Sequence, residues 1–501
     1  MLMFSHKYIV KLSASLIFSI SSFVSLMIMT RFVGEEYGLM MWGMSIVATV
    51  NAAFDVGLTL TNIKKIADQN ELGKCVSAAL AIRGVLTVVM VIVLLILLTV
   101  LSFTGEGLGN EMMLIILVFL VYFIIDGFRQ IMTSTFIGRM EAGNEAAILI
   151  SEYITRSALL ILFALAGMSA VILSLGYLGG TIVAVSLGLI LSRRLKIRLT
   201  RPKMAPEYVK FAIPLALPLS LIMVITFVDR AIIGAFWGPL EVGYYSAAYG
   251  LFFATVTVGT VLNTLLLSHM SKLHSEGKKG DVHNTLWTSQ RYLATFLLPV
   301  TAFLFIFGDD TASILFGGGF TEAGPILSIL SLAIYPMVLG NILSHILLST
   351  NRNASYGRMM TVYAVSVIIM FLLFVPDELF GIRLLGLGAV GAALSLLIGS
   401  VSLFLAASFV LKRQEGLRNY PRLILYLIAA LILTAVLYIV RESMDFPGVL
   451  WYVIIALLSL TMYICMMIAV KEFTKDDVRF MIDTINPKNL YDDIKDEMKD
   501  D

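Results

Sequence analysis

The sequence predicts an all-α polytopic membrane protein with about 14 transmembrane helices, and three observations predict it. Composition comes first: 59% of the residues are hydrophobic, 14% are charged and the mean hydropathy is +0.92, which excludes a soluble globular protein. Second, the apolar residues arrive in runs of roughly twenty, the length a helix needs to cross a bilayer core. Third, basic residues alternate between the two sides. With the N-terminus inside, the inner loops carry 20 Lys and Arg, whereas the outer loops carry only Arg31, Arg230, Arg383 and Arg441. That asymmetry sets the orientation and places both termini in the cytoplasm.

The runs lie near 9–30, 39–60, 78–103, 112–133, 146–168, 170–191, 207–228, 243–268, 287–307, 323–349, 356–375, 386–411, 422–440 and 449–470. The fifth and sixth are nearly continuous and divide only at Gly167-Met168-Ser169. The first run is long, carries Lys11 and lacks a small-x-small cleavage site, so it reads as a retained span, not a signal peptide. Trp42, Trp237, Trp287 and Trp451 all fall at predicted span ends, as an interfacial belt requires. The spans leave no room for a soluble catalytic domain. Cys75 and Cys465, the two cysteines, provide no disulfide framework and no metal set.

An internal echo organises the chain. Arg31-Phe32-Val33-Gly34-Glu35-Glu36-Tyr37-Gly38-Leu39 follows the first span, and Ala235-Phe236-Trp237-Gly238-Pro239-Leu240-Glu241-Val242-Gly243-Tyr244 follows the seventh. Both read as an aromatic and a bulky residue, Gly, a short acidic turn, then Gly and an apolar helix. Six crossings preserve orientation, so the echo predicts two parallel repeats enclosing a pathway, with its two copies facing each other at the outer end. The division is a six-helix bundle over 1–203, a second over 204–415, an added helix pair over 416–470 and a cytosolic tail over 471–501. A basic run from Arg193 to Lys203 links the bundles and reads as a topology-setting loop beside anionic headgroups.

Charges inside spans are costly and mark candidate sites. Arg156 sits about ten residues into the fifth span, near the bilayer middle, with Glu152 one turn earlier and placed to pair with it. It is either half of a structural ion pair or an anion site whose counter-ion swings aside. Lys11, Arg83, Arg129 and Arg291 lie in the cytoplasmic third of their spans, as snorkelling anchors or as the wall of a cationic vestibule. Asp55, in Asn51-Ala52-Ala53-Phe54-Asp55-Val56-Gly57, is the lone acid well inside the second span. Asp55 is a candidate for a coupling proton or sodium ion, with packing to Asn51 as the alternative, and Glu152 is a second candidate. Asp229-Arg230 reads as an interfacial ion pair. Pro214 and Pro218, one turn apart in the seventh span, are hinge candidates or static kinks.

Enzyme signals are lacking. The outer loops are short and carry no acidic metal-binding motif, His269, His274 and His283 match no zinc spacing, and there is no Walker loop. No cofactor, metal or nucleic-acid partner is expected.

These residues carry a family resemblance. Arg31–Leu39 followed by Phe54-Asp55-Val56-Gly57-Leu58 resembles the opening of the polysaccharide transporter family, the O-antigen and teichoic-acid flippases. Val228-Asp229-Arg230-Ala-Ile-Ile-Gly234 resembles its seventh-helix end. The stretch from Leu315-Phe316-Gly317 through Gly324-Pro325 to Ser349-Thr350-Asn351-Arg352 resembles the segment before and through its tenth helix. The similarity runs in order over spans 1–12 and extends to 13–14. It implies membership of the multidrug/oligosaccharidyl-lipid/polysaccharide (MOP) exporter superfamily, with two bundles alternating between inward and outward openings. It also implies polyprenyl-linked sugars as substrate, membrane lipids and other polysaccharide-assembly proteins as partners, and a cytoplasmic-membrane location. The anionic diphosphate suits a cavity lined by Arg83, Arg129, Arg156 and Arg291. A drug or small-cation exporter of the same superfamily is the competing reading and would favour acidic residues. A membrane enzyme of polysaccharide assembly is the third, and would need a long outer loop.

Overall fold

The computed structural model describes the backbone of residues 2–54, 57–103, 109–275, 279–349, 352–443, 448–474 and 477. It is all-helical apart from a two-residue hairpin pairing Glu378–Leu379 with Ile382–Arg383. Helices are the outcome that a bilayer imposes, because each backbone N–H and C=O must find its partner within its own segment. Twelve helices are long and apolar enough to cross a membrane among the described residues.

Each apolar run corresponds to one long helix. In chain order these are α1 (Leu2–Phe32), α2 (Gly34–Phe54), α4 (Leu72–Phe103), α5 (Asn110–Gly138), α6 (Ala142–Leu165), α7 (Ala170–Arg193), α8 (Ala205–Trp237) and α9 (Pro239–Ser275). They continue as α10 (Lys279–Ile306), α12 (Ala323–Ser349), α13 (Asn353–Phe374), α14 (Gly388–Gln414), α15 (Leu423–Ser443) and α16 (Val449–Ala469). The α6–α7 break falls at the Gly167-Met168-Ser169 boundary. Two short helices lie beyond what hydropathy predicts, α3 (Leu58–Ala67) and α11 (Gly308–Phe316). The second apolar run extends to about residue 60, but α2 ends at Phe54 and a new helix starts at Leu58, after Gly57 in the left-handed region with φ 66°. Below a span's length, amphipathic turns such as Leu58–Ala67 merge into the neighbouring apolar run and escape a hydropathy reading.

The chain divides into two compact units, His6–Ala247 with Val375–Ala389, and Ala248–Phe374 with residues 2–5 and the described residues from Val390 onward. In the first, α7 packs against both α5 and α6, and α2 packs along α8. In the second, α10 is the central strut, lying against α12, α15 and α16.

Within the first unit the two copies of the echo meet. A Cβ at Gly38 would collide with the Pro239 carbonyl oxygen and press on the Gly243 amide, so only glycine lets α2 approach the start of α9 this closely. The residues beside this contact bond elsewhere in the same unit. Glu36 accepts a hydrogen bond at 2.7 Å from the Ala170 amide at the start of α7, where an orphan N–H and the helix dipole both favour a carboxylate. Trp237 Nε1 donates to the Val375 carbonyl at 2.8 Å.

Candidate functional site

One cluster of buried charge in the first unit lies where α5 and α6 meet. Arg129 comes from α5 and its Nε lies 2.6 Å from Asp126 Oδ1 and 3.0 Å from Glu152 Oε2, the latter on α6. Arg156, one turn beyond Glu152 on α6, places Nη1 3.6 Å from Glu152 Oε1. Two carboxylates and two guanidiniums thus form one chain, Asp126–Arg129–Glu152–Arg156, with Gln130 donating to Asp126 Oδ2 at 2.7 Å. Its members are almost enclosed: side-chain exposure is 3% for Glu152 and 12% for Arg156. Charges this deep are retained only when paired, and each of the four is paired.

Aromatic rings box the end of this chain. The Arg156 guanidinium stands 5.1 Å from the Tyr177 ring centre, 5.4 Å from that of Tyr153 and 5.8 Å from that of Phe18. Such distances bring the cation onto the negative faces of rings from α1, α6 and α7. Its pairing with Glu152 alone is long, so the rings supply much of what holds this guanidinium in place.

Arg83, on α4, occupies a separate position in the same unit. Its Nη2 lies 3.4 Å from Asn51 Oδ1, and a Cβ at Gly127 would collide with its guanidinium. Glycine at that point of α5 is what lets the side chain lie flat against the helix. Arg83, Gly127 and Gln130 line a small cleft with Asn62 and Ser134. Asn62 donates to Ser134 Oγ at 2.8 Å and accepts from the Tyr208 hydroxyl at 3.1 Å.

The structure therefore brings Arg129, Arg156 and Glu152 together and sets Arg83 beside α5. Arg291 belongs to the second unit, where residues beyond α16 engage it. The Lys11 side chain, Asp55, and the side chains of Pro214 and Pro218 lie outside the described residues; α8 is helical through both proline positions. Asp229 and Arg230 form the expected ion pair at 3.1 Å, buried and extended by the Tyr245 hydroxyl, which donates to Asp229 at 2.8 Å.

Sequence reasoning missed Asp126, Gln130, Tyr153 and Tyr177. Asp126 was detectable, because it stands three residues before Arg129, a spacing that puts both on one helical face. The tyrosines carried no signal that distinguishes a cation box from ordinary core packing.

The arrangement defines a class: an all-helical, multi-pass membrane protein with the fold of MOP superfamily transporters. The fold is similar to that of the lipid II flippase MurJ in an inward closed conformation, with 16% identity and a TM-score of 0.72 over 92% of this chain and 98% of that one. It is also similar to an inward-facing multidrug resistance MATE family transporter of the MOP superfamily, with 14% identity and a TM-score of 0.64 over 81% of this chain and 99% of that one. A MOP superfamily transporter from Pyrococcus furiosus matches at 15% identity, with a TM-score of 0.56 over 82% of this chain and 94% of that one. A comparison with curated protein sequences gives no match. The model of the polysaccharide biosynthesis protein family matches residues 28–325, more than half of the chain. The chain belongs to that family.

Proposed function

We propose that this protein is a flippase that moves a polyprenyl-diphosphate-linked oligosaccharide, a precursor of surface polysaccharide, across the cytoplasmic membrane by alternating access. The observation that carries the reading is the enclosed Asp126–Arg129–Glu152–Arg156 chain, taken together with family membership. In this reading the two bundles are 1–203 and 204–415, the pair over 416–470 borders the path of the lipid tail, and both termini are cytoplasmic. The prenyl chain stays in the bilayer while the head group passes between the bundles.

Arg156 and Arg129 then receive the diphosphate as Glu152 gives up its share of them, with Arg83, Arg291 and Lys11 completing the cationic path. A guanidinium suits this task because its planar fork matches phosphate oxygens in pairs. Glu152, released from Arg129, and Asp55 are the positions for a coupling proton or sodium ion. Pro214 and Pro218 are the proposed hinge, and the seam at Gly38 and Pro239 the outer gate.

Replacing Arg156 with Ala tests this. Surface-polysaccharide export stops while the variant still reaches the membrane; normal export would remove Arg156 from the mechanism. A small-cation exporter is the second reading, favoured by the two carboxylates Asp126 and Glu152 in the same cluster. Drug resistance conferred on a sensitive host, lost in Asp126→Asn, would select it.

A further inference from the structure

Beyond α16 the chain folds back onto a cradle of cations and phenols in the second unit. The Glu472 carboxylate receives Arg422 Nη1 at 3.0 Å, the Tyr420 hydroxyl at 2.8 Å and the Tyr426 hydroxyl at 3.3 Å, and Arg291 Nε stands 3.9 Å away. Arg291 Nη2 also donates to the Glu472 main-chain carbonyl and, at 3.2 Å, to Asp477 Oδ2. The Tyr292 hydroxyl donates to Asp477 Oδ1 at 2.9 Å. Asp477 in turn accepts from the Thr474 amide and hydroxyl, both at 2.8 Å, which holds the two carboxylates at a set spacing.

Two guanidiniums and three phenol hydroxyls thus converge on two carboxylates. That donor set exceeds what one ion pair needs, and it is the set that suits the clustered oxygens of a diphosphate. Glu472 and Asp477 are buried, whereas Arg422 is 65% exposed, so the cradle is covered by its occupants yet open along one wall. Contacts reaching that wall are screened by solvent and exchange easily. Arg291 stands out because the proposed function needs its guanidinium for an anion, and here it is already committed to the chain's own carboxylates.

We propose that this cradle is a diphosphate-binding site which Glu472 and Asp477 occupy in the resting protein, so that an arriving diphosphate displaces the segment after α16. The ligand class rests on the flippase reading; the displacement itself does not. Binding then loosens that segment, which reports whether the site is filled.

The test uses the purified full-length protein and two probes, farnesyl diphosphate and inorganic pyrophosphate. Amide hydrogen exchange is followed at Thr474 and Asp477 with and without each probe, at saturation. Exchange rises in the presence of a diphosphate. A rise with pyrophosphate alone shows that the diphosphate suffices, and a rise only with farnesyl diphosphate shows that the prenyl chain contributes to the site. In parallel, calorimetry compares the wild type with the double variant Glu472→Gln, Asp477→Asn. If the occupants leave the cradle open a tenth of the time, the variant binds about tenfold more tightly, since apparent affinity scales with the competent fraction.

Unchanged protection at saturation overturns the proposal whatever the variant does. So does failure of both probes to bind either protein. The exchange measurement needs no substitution, so its outcome stands even where the double variant misfolds. Normal export by Arg156→Ala, alongside a responding segment after α16, would sink the Arg156 assignment and leave the cradle standing.

Discussion

Two regions of this molecule solve the same problem, an arginine inside a membrane helix, in opposite ways. In the first unit Arg129 and Arg156 share Glu152 with no exposed member, and their carboxylates come from the same or the adjacent helix. In the second, Arg291 is held by Glu472 and Asp477, about 180 residues later in the chain and outside any span. The difference concerns how each pair can be broken. A partner on a packed helix leaves only if the bundle itself rearranges. A partner on a segment past the last span leaves alone. A deep pair therefore yields its arginines only as part of a rearrangement of the bundle, whereas a peripheral pair can yield to a ligand while the bundle stays as it is.

The largest expected effect tests the deep cluster in function: Arg156→Ala abolishes export while the protein remains in the membrane, measured by surface polysaccharide and by membrane fractionation. Next comes stability. Asp126→Ala removes the nearer of the two carboxylates on Arg129, at 2.6 Å, and the acceptor of Gln130, while Glu152 still pairs with Arg129 at 3.0 Å. The loss therefore stays below the cost of about 3–5 kcal/mol for a buried charge left wholly unpaired. A thermal unfolding midpoint within a degree of wild type in detergent would contradict that burial.

A smaller loss belongs to the seam. Gly38→Ala forces a methyl into the Pro239 carbonyl, an overpacking of about 1–3 kcal/mol in the state where the two echo copies meet. If that state is the outward-closed one, Gly38→Ala also shifts the conformational balance towards outward opening, readable by labelling of a cysteine placed on that face. Smallest is the exposed pairing at the start of α11. Arg441 reaches Asp309 at 3.2 Å and Asp310 at 3.6 Å but is 37% exposed, so Arg441→Ala costs about 1 kcal/mol or less in the same melt. An Arg441 effect larger than that of Asp126 would reverse the comparison between deep and peripheral pairs.

Much of the fold was legible because a bilayer permits few solutions. Twenty apolar residues in a row commit to a helix, and Gly167-Met168-Ser169 was enough to part α6 from α7. The two short helices were not legible, since Leu58–Ala67 and Gly308–Phe316 lie below the length at which hydropathy alone decides. Of the cluster, the Glu152–Arg156 pair was legible from its spacing, because one helical turn brings such residues together wherever the helix lies. The contact between Arg129 and Glu152 crosses from α5 to α6, and no local rule contains it.

By itself, then, the sequence determined the helical class, the long helices, the local i,i+4 pair and the existence of two similar segments around Gly34–Gly38 and Gly238–Gly243. Those follow from short-range physics: hydrogen-bond satisfaction in lipid, helical period and the steric freedom of glycine. Only the tertiary structure decided that the two segments touch, that Asp126 completes the arginine chain, and that Arg291 faces the segment after α16. Each of those depends on which helix faces which, and packing between helices in a membrane is set by close-fitting surfaces and polar contacts summed over the whole bundle, not by any stretch of chain read alone.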